Sequence, residues 1–384
     1  MRGSITPYRG KPNAWWLRVY LGRDPATGKE RYRSKVVHGP KRQAEKVLNQ
    51  MVVEAEALGT TTSAVTIDRL LEEWLRLCEA RGLSPRTLHD YQWHAHRRIG
   101  PALGKIAVDK LTVKDLDGYY GELRDQELSL ATIRYTHAVL RQALGQAVKW
   151  GWIERNVALL ATVMAPRPAP VIAPSPEQLR QIITAMAEHN PQFASLTALA
   201  ALTGARRGEL LALHWEDFDR SAHIMHIRAN LVYTPETGTV LGPTKTKKNR
   251  RIALDALASN AVDVQMERLR QVAEKTGIPI VDNPWLFFGE VDGSKPIHPD
   301  SISKAFSRIT KKLGIEGIHF HSLRHFTATQ LIAAGVDIRT VSGRLGHANA
   351  SMTLGIYSHV LDERDRQAGE IMGRLLSPRG DHGT

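Results

Sequence analysis

One cysteine occurs in 384 residues, so the chain cannot close a disulfide on itself and must rely on a packed core. That residue, Cys78, shares a helical face with Leu70, Leu71, Trp74 and Leu77 in DRLLEEWLRLCEARG and reads as a small core residue rather than a reactive thiol. No run of about 18 apolar residues is present, which leaves no candidate membrane-spanning helix. The opening MRGSITPYRGKPNAWW lacks the apolar stretch of a secretory signal, and a cytoplasmic protein is expected. No unit of 20–50 residues recurs, which argues against a repeat architecture. Acidic residues are in short supply too. Lys and Arg number 52 and Asp and Glu 39, a net charge of +13.

That imbalance points to a polyanionic partner. It is uneven: residues 1–60 hold twelve Lys and Arg against five Asp and Glu. A merely soluble basic protein and an anionic membrane surface are the other readings, and no basic amphipathic helix supports the membrane. A hydrophobic content of 42% and a charged content of 24% are those of a globular protein, and the length suggests two or three domains.

Three domains are expected, in a mostly α fold with small β-sheets. Residues 1–60 read as a hairpin around the turn-rich GRDPATGKE, followed by a helix. Trp15, Leu17 and Val19 alternate with Trp16, Arg18 and Tyr20, giving one apolar and one basic-aromatic face. Packing is the expected role of both tryptophans. GTTTSAVT (59–66) is a polar linker, and residues 66–160 read as an all-helical bundle. Thr66 caps its first helix, and Ser84 with Pro85 opens another. His94 and His96 lie two apart on different helix faces and no third ligand completes a metal set. Five prolines in APRPAPVIAPSP (165–176) mark the clearest boundary. Residues 171–384 form the third domain, mixed α/β, with strand candidates at 223–232, 237–245 and 250–255.

Four segments of this third domain carry chemistry. In TGARRGELLALHWEDF, Gly204 ends one helix in a left-handed cap and Arg206 falls in the first turn of the next, where cations are disfavoured. An arginine placed there suggests a fixed anionic target, with Glu209 near enough to orient it. Surface charge is the competing reading. GPTKTKKNRRIAL puts five cations at 245–251 in a turn between two strand candidates, either a solvated hairpin tip or a loop that delivers a lysine to DNA. In HFHSLRHFTATQLIAAG, His321 and Arg324 share a helix face. His319, His321 and His325 invite a metal, but Arg324 among them would repel a cation. In LGHANASMTLGIYSHV, Gly346 ends a helix, His347 stands just beyond, and Tyr357 lies near the end of the helix that follows.

Arg206, the lysine turn, HSLRH, LGH and IYSHV, in that order over about 150 residues, resemble the tyrosine recombinases, the lambda-type phage integrases. Residues 66–160 look like the core-site DNA-binding domain of that family, and residues 1–60 like the arm-site-binding domain of its larger members. The resemblance implies that Tyr357 attacks a phosphodiester to form a 3′-phosphotyrosyl bond, freeing a 5′-hydroxyl. Arg206, Arg324 and His347 would bind the charged phosphoryl oxygens and His321 would act as base. Lys245, or Lys247 of the same turn, would protonate the leaving oxygen. No metal, ATP or other cofactor is implied. Candidate DNA contacts are Arg18, Arg31, Arg33, Lys35, Arg86, Arg97, Lys247 and Lys248. The implied partners are double-stranded DNA with attachment-type sites and three further copies in a homotetramer. A directionality factor or a DNA-bending protein is an optional partner. A phage or other mobile-element integrase is the favoured biology. A non-catalytic DNA-binding regulator, a type IB topoisomerase-like enzyme and a metal-dependent nuclease are the alternatives. The closing DERDRQAGEIMGRLLSP places Ile371, Met372, Leu375 and Leu376 on one helical face, for docking on its own domain or on a neighbouring copy.

Overall fold

In the computed structural model, the residues described are 3–8, 10, 12–23, 30–59, 65–165, 172–245, 248–346 and 369–373. They divide into two compact units, Met1–Leu83 with Asp90–Pro166, and Ser84–His89 with Arg167–Thr384.

The first unit begins with an antiparallel sheet in the order β1 (Gly3–Pro7), β2 (Ala14–Arg23), β3 (Glu30–His38). Helix α1 (Lys41–Gly59) packs on one face. Period-two alternation decides which face. Leu17 and Val19 are buried with Ala44 and Met51 of α1, while Trp16 is 41% exposed on the opposite side. Trp15 packs as expected and donates its indole N–H to the Gly39 carbonyl at 3.0 Å. Trp16 does not. The Arg18 guanidinium lies 5.9 Å from its ring and 3.5 Å from that of Tyr32. Register separates the candidate cations. Arg33 and Lys35 sit opposite Val19 and Leu17, on the helix-covered face, and Arg33 pairs with Glu54 of α1 at 3.3 Å.

The bundle follows: α2 (Ile67–Ala80), α3 (Pro85–His94), α4 (Gly100–Leu103), α5 (Val113–Asp125) and α6 (Leu130–Lys149). The Thr66 hydroxyl accepts from the Arg69 N–H and that of Ser84 from the Thr87 N–H, so both caps form. Leu70, Leu71, Trp74 and Cys78 are buried on α2, and burial raises the pKa of the thiol. His94 is a core histidine bonded to the Thr136 hydroxyl at 2.9 Å. Between α3 and α4 the chain widens into one π-helical turn, Ala95–Ile99, which includes Arg97.

The second unit contains α7 (Pro176–His189), α8 (Pro191–Thr203) and the short α9 (Arg207–Leu211), then five strands, β4 (Phe218–Asp219), β5 (Ile224–Ile227), β6 (Ala229–Thr234), β7 (Gly238–Pro243) and β8 (Arg250–Ala253). Helices α10 (Ala256–Thr276), α11 (Pro299–Lys312), α12 (Ser322–Ala333) and α13 (Ile338–Leu345) follow, and residues 369–373 are helical as well. Strand pairing corrects the sequence reading of the lysine turn. β7 pairs with β6, whereas β8 pairs with β5. Residues 244–249 therefore connect two sheets instead of closing a hairpin. The long apolar α8 is buried along most of its length, among Leu210 and Leu211 of α9 and Phe306 of α11.

Helix ends place the site. α8 stops at Gly204 and α13 at Gly346, each with φ near +68°, in the left-handed region (67° and 69°). A Cβ at Gly204 would run into the Leu345 side chain. Replacing Gly204 by alanine is expected to cost about 2–4 kcal/mol, from the left-handed backbone and the overlap together. Urea denaturation of the full chain, followed by tryptophan fluorescence, measures it; an unchanged midpoint would show that this helix end is free to adapt.

Candidate active site

Arg206 stands at the N-cap of α9, one residue before the helix begins, not in its first turn. The position trades a poor dipole location for a local carboxylate. Glu209, three residues on, accepts the Arg206 backbone N–H at 2.8 Å and the Arg206 Nη1 at 2.8 Å. The same carboxylate takes two further bonds from Arg250 of β8, 3.0 Å from Nη1 and 2.6 Å from Nη2. Glu209 is buried, and burial by itself raises its pKa. The Arg250 bonds and the two positive charges outweigh that and hold it below the ordinary 4.5.

The arginines are then tied to main-chain carbonyls at the two helix ends. Arg206 Nη2 reaches the Gly346 carbonyl at 3.1 Å. Arg324, 4% exposed on α12, donates Nη1 to the carbonyls of Gly204 at 2.8 Å and Leu345 at 2.6 Å. Arg250 Nε reaches the Arg344 carbonyl at 3.0 Å, and Arg344 in turn bonds the carbonyls of Leu202 and Ala253 at 3.1 and 3.2 Å. Carbonyls in the last turn of a helix have no intrahelical donor and carry the negative end of the helix dipole, so guanidinium groups are their natural partners.

Arg206, His321 and Arg324 thus line one cleft of about 400 Å³. His321, at the N-cap of α12, keeps an exposed edge. Its pKa falls to about 4, from partial desolvation first and then from His325, Arg324, His319 and Arg206 around it. The imidazole is therefore neutral near pH 7 and able to accept a proton. His319 bonds the Ser322 hydroxyl at 2.5 Å, and among the described residues no group of three His, Cys, Asp or Glu is placed to hold a metal ion.

The remaining candidates divide. Lys245 and Lys248 are exposed, and the Thr244 hydroxyl bridges their segment by donating to the Lys248 carbonyl at 2.9 Å. Lys247, His347 and Tyr357 lie outside the described residues, as do Leu375 and Leu376, while Ile371 and Met372 are exposed. Arg86 lies near enough to Arg207, on the cleft lining, to lower its pKa, Arg18, Arg33, Lys35 and Arg97 belong to the first unit, and the side chain of Arg31 is not described. The sequence reading missed Arg250 and Arg344. Arg250 sat in a run of cations that reads as one solvated cluster, and only strand direction shows that it turns inward.

The model of the phage integrase family matches residues 175–364. The chain belongs to this family, the tyrosine recombinases. A XerC-like tyrosine recombinase of Caldanaerobacter subterraneus is 27% identical over 331 residues, 81% of this chain and 84% of that protein. Among solved structures, the Tn1549 transposon integrase bound to circular intermediate DNA superposes with a TM-score of 0.67 at 20% identity, over 79% of this chain and 99% of that one. A lambda integrase tetramer bound to a Holliday junction gives 0.56 at 20%, over 90% and 96%. This tyrosine recombinase therefore shares the multidomain integrase fold along nearly its whole length.

Two outcomes follow from the charge arrangement. Glu209→Gln keeps the shape but leaves Arg206 and Arg250 without their carboxylate; a loss of about 3–5 kcal/mol is expected in urea denaturation. Since Glu209 titrates lower folded than unfolded, its contribution is complete above pH 4.5 and fades as pH falls through the folded value, a loss the variant should not show. In an NMR titration of the free protein, assigned with His321→Asn, the His321 signal should stay that of a neutral ring down to about pH 5. A midpoint near 6.5 would remove the cationic surroundings from the account.

Proposed function

We propose that this recombinase cuts and rejoins DNA at specific sites through a phosphotyrosyl intermediate, in the service of a mobile element. One observation carries the reading: three buried or half-buried arginines, Arg206, Arg250 and Arg324, converge with a single carboxylate, Glu209, beside an open cleft. The surplus positive charge calls for an anion, and a phosphodiester supplies it.

The Tyr357 hydroxyl attacks the scissile phosphorus and the 5′-oxygen leaves. The phosphoryl group passes to the tyrosine, and the proton of the phenol to the neutral His321 imidazole. Arg206 and Arg324 stabilise the non-bridging oxygens as their charge grows, with His347 as a third donor. Lys245 protonates the departing 5′-oxygen. Attack by a 5′-hydroxyl of the partner strand reverses these transfers, so the bond energy is conserved and no ATP is consumed. Two duplexes exchanging strands require four nucleophiles, hence a tetramer on DNA, as in the lambda integrase assembly on a Holliday junction. The exposed Trp16, Arg18 and Tyr32 face and the basic residues Arg86 and Arg97 supply accessory DNA contacts, and attachment-site geometry would set any need for a bending protein or directionality factor.

The test uses nicked duplexes tiled across the DNA that flanks the coding sequence, with adducts read on denaturing gels. Wild-type protein should form a covalent adduct with one of them in EDTA, and Tyr357→Phe none, while retaining binding. Arg206→Ala or Arg324→Ala should slow adduct formation by on the order of 10²–10³. Binding without an adduct would favour the regulator, and relaxation of supercoils without sequence preference the topoisomerase-like enzyme.

A further inference from the structure

The cleft is longer than the chemistry above uses. Its far wall is made by Arg207, Ser303 and Ser307, none of which has a part in that mechanism. Arg206 and Arg207 are consecutive but diverge: the first turns to Gly346, the second to α11, where its Nη1 bonds the Ser303 hydroxyl at 2.5 Å and reaches Asp300 at 3.5 Å. Both contacts use Nη1; among the described residues no partner is bonded to Nε or Nη2. Ser303 and Ser307, four apart on α11, put two hydroxyls on the same helix face at the cleft wall. Lys304, Arg308 and Lys311 run along the exposed flank of the same helix, so the ground beyond the wall is cationic as well.

We propose that Arg207, Ser303 and Ser307 form a second phosphate subsite, which holds the phosphodiester next to the scissile one and so fixes the strand in line for attack. A planar fork with unspent donors and two flanking hydroxyls suits a phosphate oxygen pair, and Asp300 steadies the fork from behind at a longer distance. Arg207 is here a positioning residue: it touches the strand but not the reacting phosphorus. The inference rests on reading this cleft as the cleavage site.

The experiment takes the nicked duplex that yields an adduct and replaces, one at a time, the phosphates around the scissile position with uncharged methylphosphonates. With the native chain, neutralising one phosphate adjacent to the scissile position should slow adduct formation about 10- to 100-fold, the worth of a charge-assisted contact. Arg207→Ala should show that loss on ordinary DNA and no further loss on the neutralised duplex, and Arg207→Lys should recover part of it. Ser307→Ala, which leaves the Arg207–Ser303 bond in place, should give a smaller loss with the same dependence on that phosphate. If the two losses multiply, or if neutralisation at both adjacent positions is silent with the native chain, Arg207 merely ties α9 to α11 and the subsite does not exist. A native chain that forms no adduct on any duplex instead overturns the recombinase reading, and the subsite with it.

Discussion

Four guanidinium groups, those of Arg206, Arg250, Arg324 and Arg344, are packed into the region where α8, α9, β8 and α13 come together, and among the described residues the one carboxylate hydrogen-bonded to any of them is Glu209, with Asp255 acting on Arg344 through its charge. Like charges at such separations repel strongly once water is removed. The structure offsets this in two ways. Glu209 accepts bonds from two arginines at once, and the C-terminal carbonyls of α8 and α13 accept from all four. Each helix end contributes roughly half a negative charge. The arrangement is neutralised enough to fold yet keeps a net positive character, which the proposed phosphate would complete.

This explains why the two helices end as they do. A left-handed glycine turns the chain sharply and leaves the last carbonyls pointing outward from the helix. At Gly204 and Gly346 those carbonyls become anchors for Arg324 and Arg206. Both arginines are gripped by residues 345 and 346, immediately before His347, so the segment leading to the histidine is held by the groups with which it would act. Anchoring of this kind is what electrostatic catalysis needs, because donors fixed in advance need no reorganisation as charge develops.

Much of this was legible beforehand, where local rules dominate. The caps at Thr66 and Ser84, the glycine stops at 204 and 346, the two-faced β2 strand and the shared helix face of His321 and Arg324 follow from short-range geometry. The order of the motifs supplied the family. Long-range pairing was not legible. That residues 244–249 link two sheets depends on which strands become neighbours, and that Arg250 faces inward depends on β8 pairing with β5. Arg344 looked like an ordinary basic residue in a helix's last turn, and its bonds to Leu202 and Ala253 span about 140 and 90 residues of sequence (142 and 91). Trp16 misled in another way: composition favours burial for tryptophan, but period-two alternation had already placed it with Arg18 on the uncovered face.

The use of arginine rather than lysine throughout the site has a physical reason. Each of these cations must hold a carbonyl or carboxylate with one part of its head group and remain directional with another. Arg324 spans two carbonyls from a single nitrogen, and Arg250 bonds a carbonyl through Nε and both oxygens of Glu209 through its two other nitrogens. A lysine ammonium is a compact point charge with three donors, and it cannot meet partners along separate edges of a rigid plane. It is also more strongly hydrated and releases its proton more readily when buried, which would forfeit the charge the phosphate requires. Lysine suits the opposite task, giving up a proton at an accessible position, which is the part proposed for the exposed Lys245.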